Sequence, residues 1–508
     1  TCILDILRHI PRCAFSEKQN IIIHWAMRAL GLGDIPSEST MRNVDNMLQK
    51  LCGIDSVHFE GALGHVYYTN DLAAIIAQAQ MANPLVRPHL HFLPEDAGSH
   101  LSEAWQGSRW LHELIPQLGT QMIGFQGQDY YLFEPALLEN GQACVPIRWF
   151  IRRGRTYALA HNLIPYSNGW LVDTRSTHEV PERSFILPFP LFRQFYHSYN
   201  YPSPTCIFGC LDATGGISPW QLSNPSEGNP WRAKAKGSHV LAFPIWLYCD
   251  DTSGNVSKCW NKHNSVLFTA AGLPRRLVHK EYNIHFLTTS NGASPLEILD
   301  GVVQQLRECQ THGIWAWDST FCEWVLLIPS VLAILGDNPM QSEFSCHIGL
   351  KGKFFCRSCS VSNSRSFTEL SGADSDESDA SSINITGNRK KKGRKRQPES
   401  MQHMVNRITE FMQIGRPRTK WQTLQILQSQ FTMATDIGGQ AQVKRNMTET
   451  GVKDSYFLHF VSKLFKISTA KGKSRQERKE MLAQAISTFP KLLTAETVLL
   501  EHPYYRHG

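Results

Sequence analysis

Three aspartates close apolar runs in this sequence. His239–Asp251, HVLAFPIWLYCDD, ends in the adjacent pair Asp250 and Asp251, and the run Trp324–Leu335 is followed by Asp337. An acid emerging from a buried strand stands at the end of a sheet, where open α/β folds bind ligands and metals. Carboxylates are hard ligands for Mg2+ or Mn2+, and two such ions about 4 Å apart activate an oxygen nucleophile and neutralise charge on phosphorus. The chemistry suggested is phosphodiester cleavage and strand transfer. Side chains alternate along a strand, so only one of Asp250 and Asp251 can point into a shared site with Asp337. The other caps the following turn.

A second group carries sulfur. Cys356-Arg-Ser-Cys359 is half of a zinc site, with Cys346 and His347 as candidates for the remaining ligands. Zinc there would staple the loop after Asp337 rather than catalyse; the alternative is a pair of reduced thiols. Cys206-x-x-x-Cys210 has poor spacing and no partner pair nearby. His89, His91 and Glu95 read as a surface loop, because Pro88 and Pro94 break the register a metal would need. Asn338 and Glu343 are either polar supports for Asp337 or helix-start residues.

A third group is cationic. Arg148, Arg152, Arg153 and Arg155 interleave with aromatics in RWFIRRGR, which suits phosphate contact with base stacking or, equally, a solvated edge that resists strand pairing. Arg232, Lys234 and Lys236 lie in the basic turn NPWRAKAKG, a phosphate contact or equally a plain charged turn, and Arg389–Arg396, RKKKGRKR, reads as a nuclear-import or nucleic-acid patch, the alternative being a solvated linker with incidental charge. The net charge of +7 favours an anionic partner. Thirteen cysteines, odd in number and scattered, point to reduced thiols inside a cell. No signal peptide or bilayer-spanning run is evident. Neither a Gly-x-Ser-x-Gly elbow nor a phosphate-binding Gly-x-x-x-x-Gly-Lys loop occurs, which argues against a serine hydrolase or a nucleotidase.

The elements that must position these groups read as mixed α/β. Residues 1–118 form a helical N-terminal region that includes a strand-like piece at Gly64–Thr69, and residues 119–200 form a small antiparallel β domain. Residues 201–365 hold a core: the strand ending at Asp251, strands at Ser265–Ala270 and Asn283–Thr289, then an amphipathic helix at Ser294–Cys309 with Ser294 and Glu297 as a capping box. The apolar run before Asp337 reads as a doubly buried strand or a short buried helix, interrupted by Pro329. Residues 366–399 are an acidic then basic linker too polar to fold, and residues 400–508 are helical.

The Asp337, Lys351-Gly352 and Cys356/Cys359 series resembles the catalytic region of transposases of the CACTA (En/Spm) group, and more closely the fungal proteins similar to them. The likeness reaches upstream to about residue 20 and is most specific over Phe243–Cys359. It implies a ribonuclease-H-like core, Asp251 as the first acid with Asp250 as its alternative, Asp337 as the second, Mg2+ or Mn2+ as cofactor, DNA such as transposon ends as partner, a homo-oligomer and a nuclear location. Asp318 also matches a family acid, although Trp315 and Trp317 beside it suggest a strand-edge structural role. The family's third acid lies in a helix beyond the thiol pair, close to a His, and no such motif occurs before Gly508; Glu496 and Glu501 lack that context. The resemblance therefore leaves two readings, an enzyme and a catalytically inactive descendant that binds DNA or protein. The chain opens on Thr1 and reads as a fragment or processed product.

Overall fold

A computed structural model describes residues 15–253, 262–350, 352, 354–361, 400–411 and 415–489. The expected first helix at Ile3–Ile10, the basic run Arg389–Arg396, Lys351, Glu496 and Glu501 lie outside the described residues.

The fold is mixed α/β. Helices α1 (Glu17–Ala29) and α2 (Glu38–Cys52) start at Ser16 and Ser37, whose side chains accept backbone N–H groups from Gln19 and Thr40. The strands β1 (Ser56–Glu60) and β2 (Val66–Asn70) follow. They are not part of a helical cap: Thr69 of β2 pairs with Thr288, which attaches this hairpin to the main sheet.

The second sheet is built on three long strands, β3 (Ala143–Arg152), β4 (Arg155–Tyr166) and β5 (Gly169–Pro181), paired antiparallel in sequence. Four shorter strands extend it to seven, with Ile207–Leu211 running parallel to β5. The β domain expected over 119–200 thus continues past residue 200. Its core includes Trp149, Ala158, Ala160 and Phe185.

The main sheet holds the acids. After the short helix α3 (Pro230–Ala235) come β6 (Val240–Ser253), β7 (Lys262–Ala270) and β8 (His285–Ser290), an antiparallel meander. Helix α4 (Pro295–His312) then crosses the sheet and leads to β9 (Ile314–Asp318) and β10 (Glu323–Leu335). The strand order is β1-β2-β8-β7-β6-β10-β9. β10 runs parallel to β6, and β9 pairs antiparallel with β10 at the edge.

Why these residues take this arrangement follows from their patterning. Ser294 caps α4 by accepting the Glu297 N–H, and Ile298, Val302 and Leu306 recur on one helical face against Leu247, Cys249, Val325 and Leu327. Burying each of those aliphatic side chains is worth about 1.5–3 kcal/mol. Pro329 does not break β10: it stands opposite Phe243, next to Pro244 on β6, and a register shift follows just beyond. Prolines in sheets are tolerated next to such irregularities. The opposite face of the sheet is covered by the hairpin Met122–Tyr131, by Trp231 of α3 and by Trp105, Trp110 and Leu114.

Beyond β10, α5 (Asn338–Phe344) leads into the thiol-bearing loop, and the C-terminal helices Lys420–Thr435, Gln440–Thr450, Ser455–Ser468 and Arg475–Ser487 pack around Cys346 and Val452. Among the described residues no helix is long and apolar enough to cross a membrane.

Candidate functional site

The last paired residues of β6 and β10 are Tyr248 and Leu335. Gly336 keeps the strands close beyond that point, since a Cβ there would lie 2.8 Å from the Cys249 carbonyl oxygen. Parallel register then carries Asp337 out level with Asp250. Leu247 and Cys249 are buried against α4, and by alternation Asp251 belongs to their side of the strand. Tyr248 and Asp250 occupy the other side, where the Tyr248 hydroxyl donates to Asp250 Oδ2 at 2.7 Å. That hydrogen bond, with burial and then the negative charges of Asp250 and Asp337, pushes the Tyr248 phenol up to about 12. Of the two adjacent acids, Asp250 is the one that shares surroundings with Asp337. Asp251, preferred from the resemblance, sits one step further along β6, opposite Asn264, on the alternate side, so this register favours its alternative, Asp250.

Asp337 also has a structural task. It is the N-cap of α5, and its Oδ1 accepts the Met340 N–H at 2.8 Å. Asn338 is a helix-start residue whose carbonyl and side-chain oxygens accept from Arg357, both at 3.2 Å. Glu343 lies further along α5; burial, then the charges of Asp250 and Glu343, raise the Cys249 thiol to about 12.

Two carboxylates at adjoining strand ends suit one hard divalent ion whose other positions hold water or substrate oxygens. They do not by themselves make a two-ion site. Among the described residues no group of three or more His, Cys, Asp or Glu side chains gathers for a metal. Asp318 cannot complete the set. It lies at the opposite end of β10, paired with Glu323, fully buried and bonded to the Arg87 guanidinium at 2.6 and 2.7 Å. Its Oδ1 accepts the N–H groups of Thr320 and Phe321, so the strand-edge structural role is the one seen.

The expected zinc ligands do not converge. Gly349 donates its N–H to His347 Nδ1 at 3.0 Å, which leaves Nε2–H to donate to the Phe354 carbonyl at 2.7 Å. Both ring nitrogens are therefore held by backbone. Cys346 is buried with its thiol donating to Asp454 Oδ2 at 3.6 Å. The pair Cys356 and Cys359 instead has Arg418, whose Nε donates to their carbonyl oxygens at 3.1 and 3.4 Å. Burial opposes ionisation of Cys356, but the N–H groups of Cys359 and Ser358, the Cys359 thiol and the Arg418 charge more than offset it, and its pKa is lowered. The thiol pair is tied to the segment leading into the C-terminal helices by Arg418 and by the bridge Cys359–Pro417.

The cationic residues divide in the same way. Arg148 turns inward and donates to the carbonyls of Trp110, Leu114 and His112, at 3.2, 2.6 and 3.4 Å. Arg152 is held by Asp96 and Glu179. Neither presents a free cation to a phosphate, contrary to the expectation for the whole hairpin. Arg153 and Arg155 are exposed at its tip, where Arg153 and Gly154 both have positive φ, as a two-residue hairpin turn requires. Arg232 pairs with buried Glu134 and lies over the Tyr131 ring at 4.3 Å. Lys234 donates to the Thr311 carbonyl at 2.6 Å and remains exposed, as does Lys236.

Sequence reasoning read Glu297 as the capping-box partner of Ser294, but its carboxylate turns instead into a polar cluster that went unforeseen. Glu297, fully buried on α4, accepts from the Leu63 N–H at 3.1 Å and pairs with His65 Nδ1 at 2.8 Å; one turn on, Asp300 accepts from the Tyr456 hydroxyl at 3.3 Å. Its members come from three distant parts of the chain, so no local spacing announces it.

Residues 122–241 match a family described as a domain of unknown function, DUF8591. The match spans the second sheet, α3 and the first residues of β6, and stops before the acids. No curated protein and no solved structure matches the chain.

Proposed function

We propose that the chain is a transposase-like DNA-binding protein with a ribonuclease-H-like core, in which Asp250 and Asp337 hold a divalent cation for DNA cleavage and strand transfer. The observation that carries the reading is the parallel register of β6 and β10, which brings the two strand-end acids level. Supporting it, the antiparallel meander β6–β7–β8, the crossing helix α4 and the parallel return of β10 beside β6 follow the order of that core. The edge strand β9 departs from it, because it precedes β10 and runs against it.

Bound Mg2+ or Mn2+ would supply Lewis acidity and an activated water. The chain's own part is to hold and orient. Asp250 is fixed by two donors, the Tyr248 hydroxyl and the Asp251 N–H, the latter at 2.8 Å to Oδ1. Tyr248 stays protonated at neutral pH and so remains a donor to Asp250. The middle of β3 is linked to β10 through residues 109–114, since Arg148 binds the Trp110 and Leu114 carbonyls while Arg109 donates to the Leu332 carbonyl at 3.3 Å. Arg153 and Arg155 at the tip of the β3–β4 hairpin are its own cations exposed for DNA phosphates. A nuclear location and self-association belong to the same proposal.

A binding-only protein is the second reading. It is favoured by the use of Asp337 as a helix cap and by the lack, among the described residues, of a third carboxylate beside the pair. Supercoiled plasmid incubated with the protein and Mn2+ separates the two. Nicking that Asp250→Asn and Asp337→Asn each abolish supports cleavage; plasmid binding without nicking leaves the binding module alone.

A further inference from the structure

The edge of the main sheet carries three exposed tryptophans. Along β9, Ile314, Ala316 and Asp318 point into the protein, while Trp315 and Trp317 are 43% and 40% exposed. The register sets Trp317 opposite Trp324 of β10 and Trp315 opposite Leu326. Trp324 is 56% exposed, and its ring meets that of Trp317 edge to face, 6.0 Å between centroids. Opposite residues in a pair share a face. The three indoles therefore continue the face on which Leu326 and Ile328 are covered by Trp231 of α3. The cover stops at Leu326, and the aromatic surface goes on beyond it.

Two lysines of the neighbouring helix border that surface. Helix α3 is anchored beside it, because a Cβ on Gly313 would touch both Leu326 and Trp231, and Lys234 reaches the Thr311 carbonyl just ahead of β9. Lys236 follows at the exposed end of the same helix. Of the acids on this side of the protein, Glu323 meets His239 Nδ1, while Asp318 and Glu134 are paired with Arg87 and Arg232. Contiguous exposed aromatic surface of this kind marks an interaction site.

We propose that Trp315, Trp317 and Trp324, flanked by Lys234 and Lys236, form a stacking platform for single-stranded nucleic acid. Base faces stack on aromatic rings whatever their sequence, and neighbouring cations meet the phosphates. A second copy of the chain pairing along β9 fits less well, since that edge strand has five residues and short edges resist pairing. The inference deepens the DNA-binding reading and is independent of any metal at Asp250 and Asp337.

Fluorescein-labelled oligo(dT), titrated with the full chain at low salt and followed by anisotropy and by quenching of tryptophan emission, tests it. Trp317→Leu and Trp324→Leu should each weaken binding by about tenfold, within the roughly 5- to 150-fold span that loss of one stacked base produces. Trp324→Phe should retain most of the affinity, and Trp421→Leu, an exposed tryptophan elsewhere, should retain all of it. Oligo(dT) binding should persist when EDTA is added to the parent protein, a condition that stops metal-dependent nicking, which keeps this proposal separable from the cleavage reading. Unchanged affinity in folded Trp317→Leu and Trp324→Leu proteins overturns the platform. So does saturation by oligo(dT) without quenching, or self-association that those two variants dissolve while oligo(dT) does not bind.

Discussion

Tyr248 and Asp250, two positions apart on β6, are joined by a 2.7 Å hydrogen bond from phenol to carboxylate. Because alternate residues share a side of a strand, this bond identifies Asp250 rather than Asp251 as the acid on Tyr248's side. The consequence can be read from the phenol itself. Asp250→Asn should let Tyr248 fall from about 12 toward its ordinary 10.0, whereas Asp251→Asn should leave it high, as followed by tyrosinate absorbance against a Tyr248→Phe control. Equal responses in both variants would contradict the assignment.

Asp300 predicts an unusual pH profile. Burial, with a contribution from the neighbouring Glu297 charge, raises its carboxyl from 3.8 to about 6 despite the hydrogen bond from Tyr456. The folded protein therefore holds this proton more tightly than the unfolded chain. Its contribution is fully present below the unfolded value and is lost as pH rises through the window from about 4 to 6. Asp300→Asn should melt higher than the parent at neutral pH and alike near pH 4. A variant that melts lower at neutral pH would show that the ionised group is stabilising.

Arg87 and Asp318 form a buried ion pair, with the Arg87 guanidinium also lying over the Phe92 and Phe321 rings at 4.6 and 4.9 Å. Removing one partner strands a charge, so Asp318→Asn or Arg87→Met should cost about 3–5 kcal/mol in urea unfolding. A loss below about 1 kcal/mol would place the pair in a solvated setting.

Within the β3–β4 hairpin, Arg153 and Arg155 face solvent while Arg148 and Arg152 are tied to protein. Substituting the exposed pair with Ser should lower the salt slope of duplex binding by about 2, roughly 0.9 per lost phosphate contact, without lowering the melting temperature. Arg148→Gln should do the reverse. Unaltered DNA affinity in the exposed-pair variant would remove this hairpin from the interface.

Much of the main sheet is legible in the chain. β6 and β10 announce themselves as long apolar runs ended by acids, and α4 by its Ser294 cap and its periodic Ile298, Val302 and Leu306. What local pattern could not supply was partnership across distance. The pairing of Thr69 with Thr288, which adds β1 and β2 to the sheet, joins residues more than two hundred positions apart. The choice between Asp250 and Asp251 depends on the side of a strand that its first residues face. The arginines of RWFIRRGR look equivalent in sequence, yet the carbonyls of Trp110 and Leu114 and the acids Asp96 and Glu179 claim two of them. For the thiol loop, spacing suggested zinc, whereas both nitrogens of His347 are taken by backbone.

The central claim is that Asp250 and Asp337 share one cation, and a crystal soaked in Mn2+ tests it most directly. An anomalous difference peak within coordination distance of both carboxylates, absent in Asp250→Asn, is the predicted result. A saturating soak that leaves no peak between them, or one that places the ion on Asp251 with Asp250 uninvolved, would contradict it.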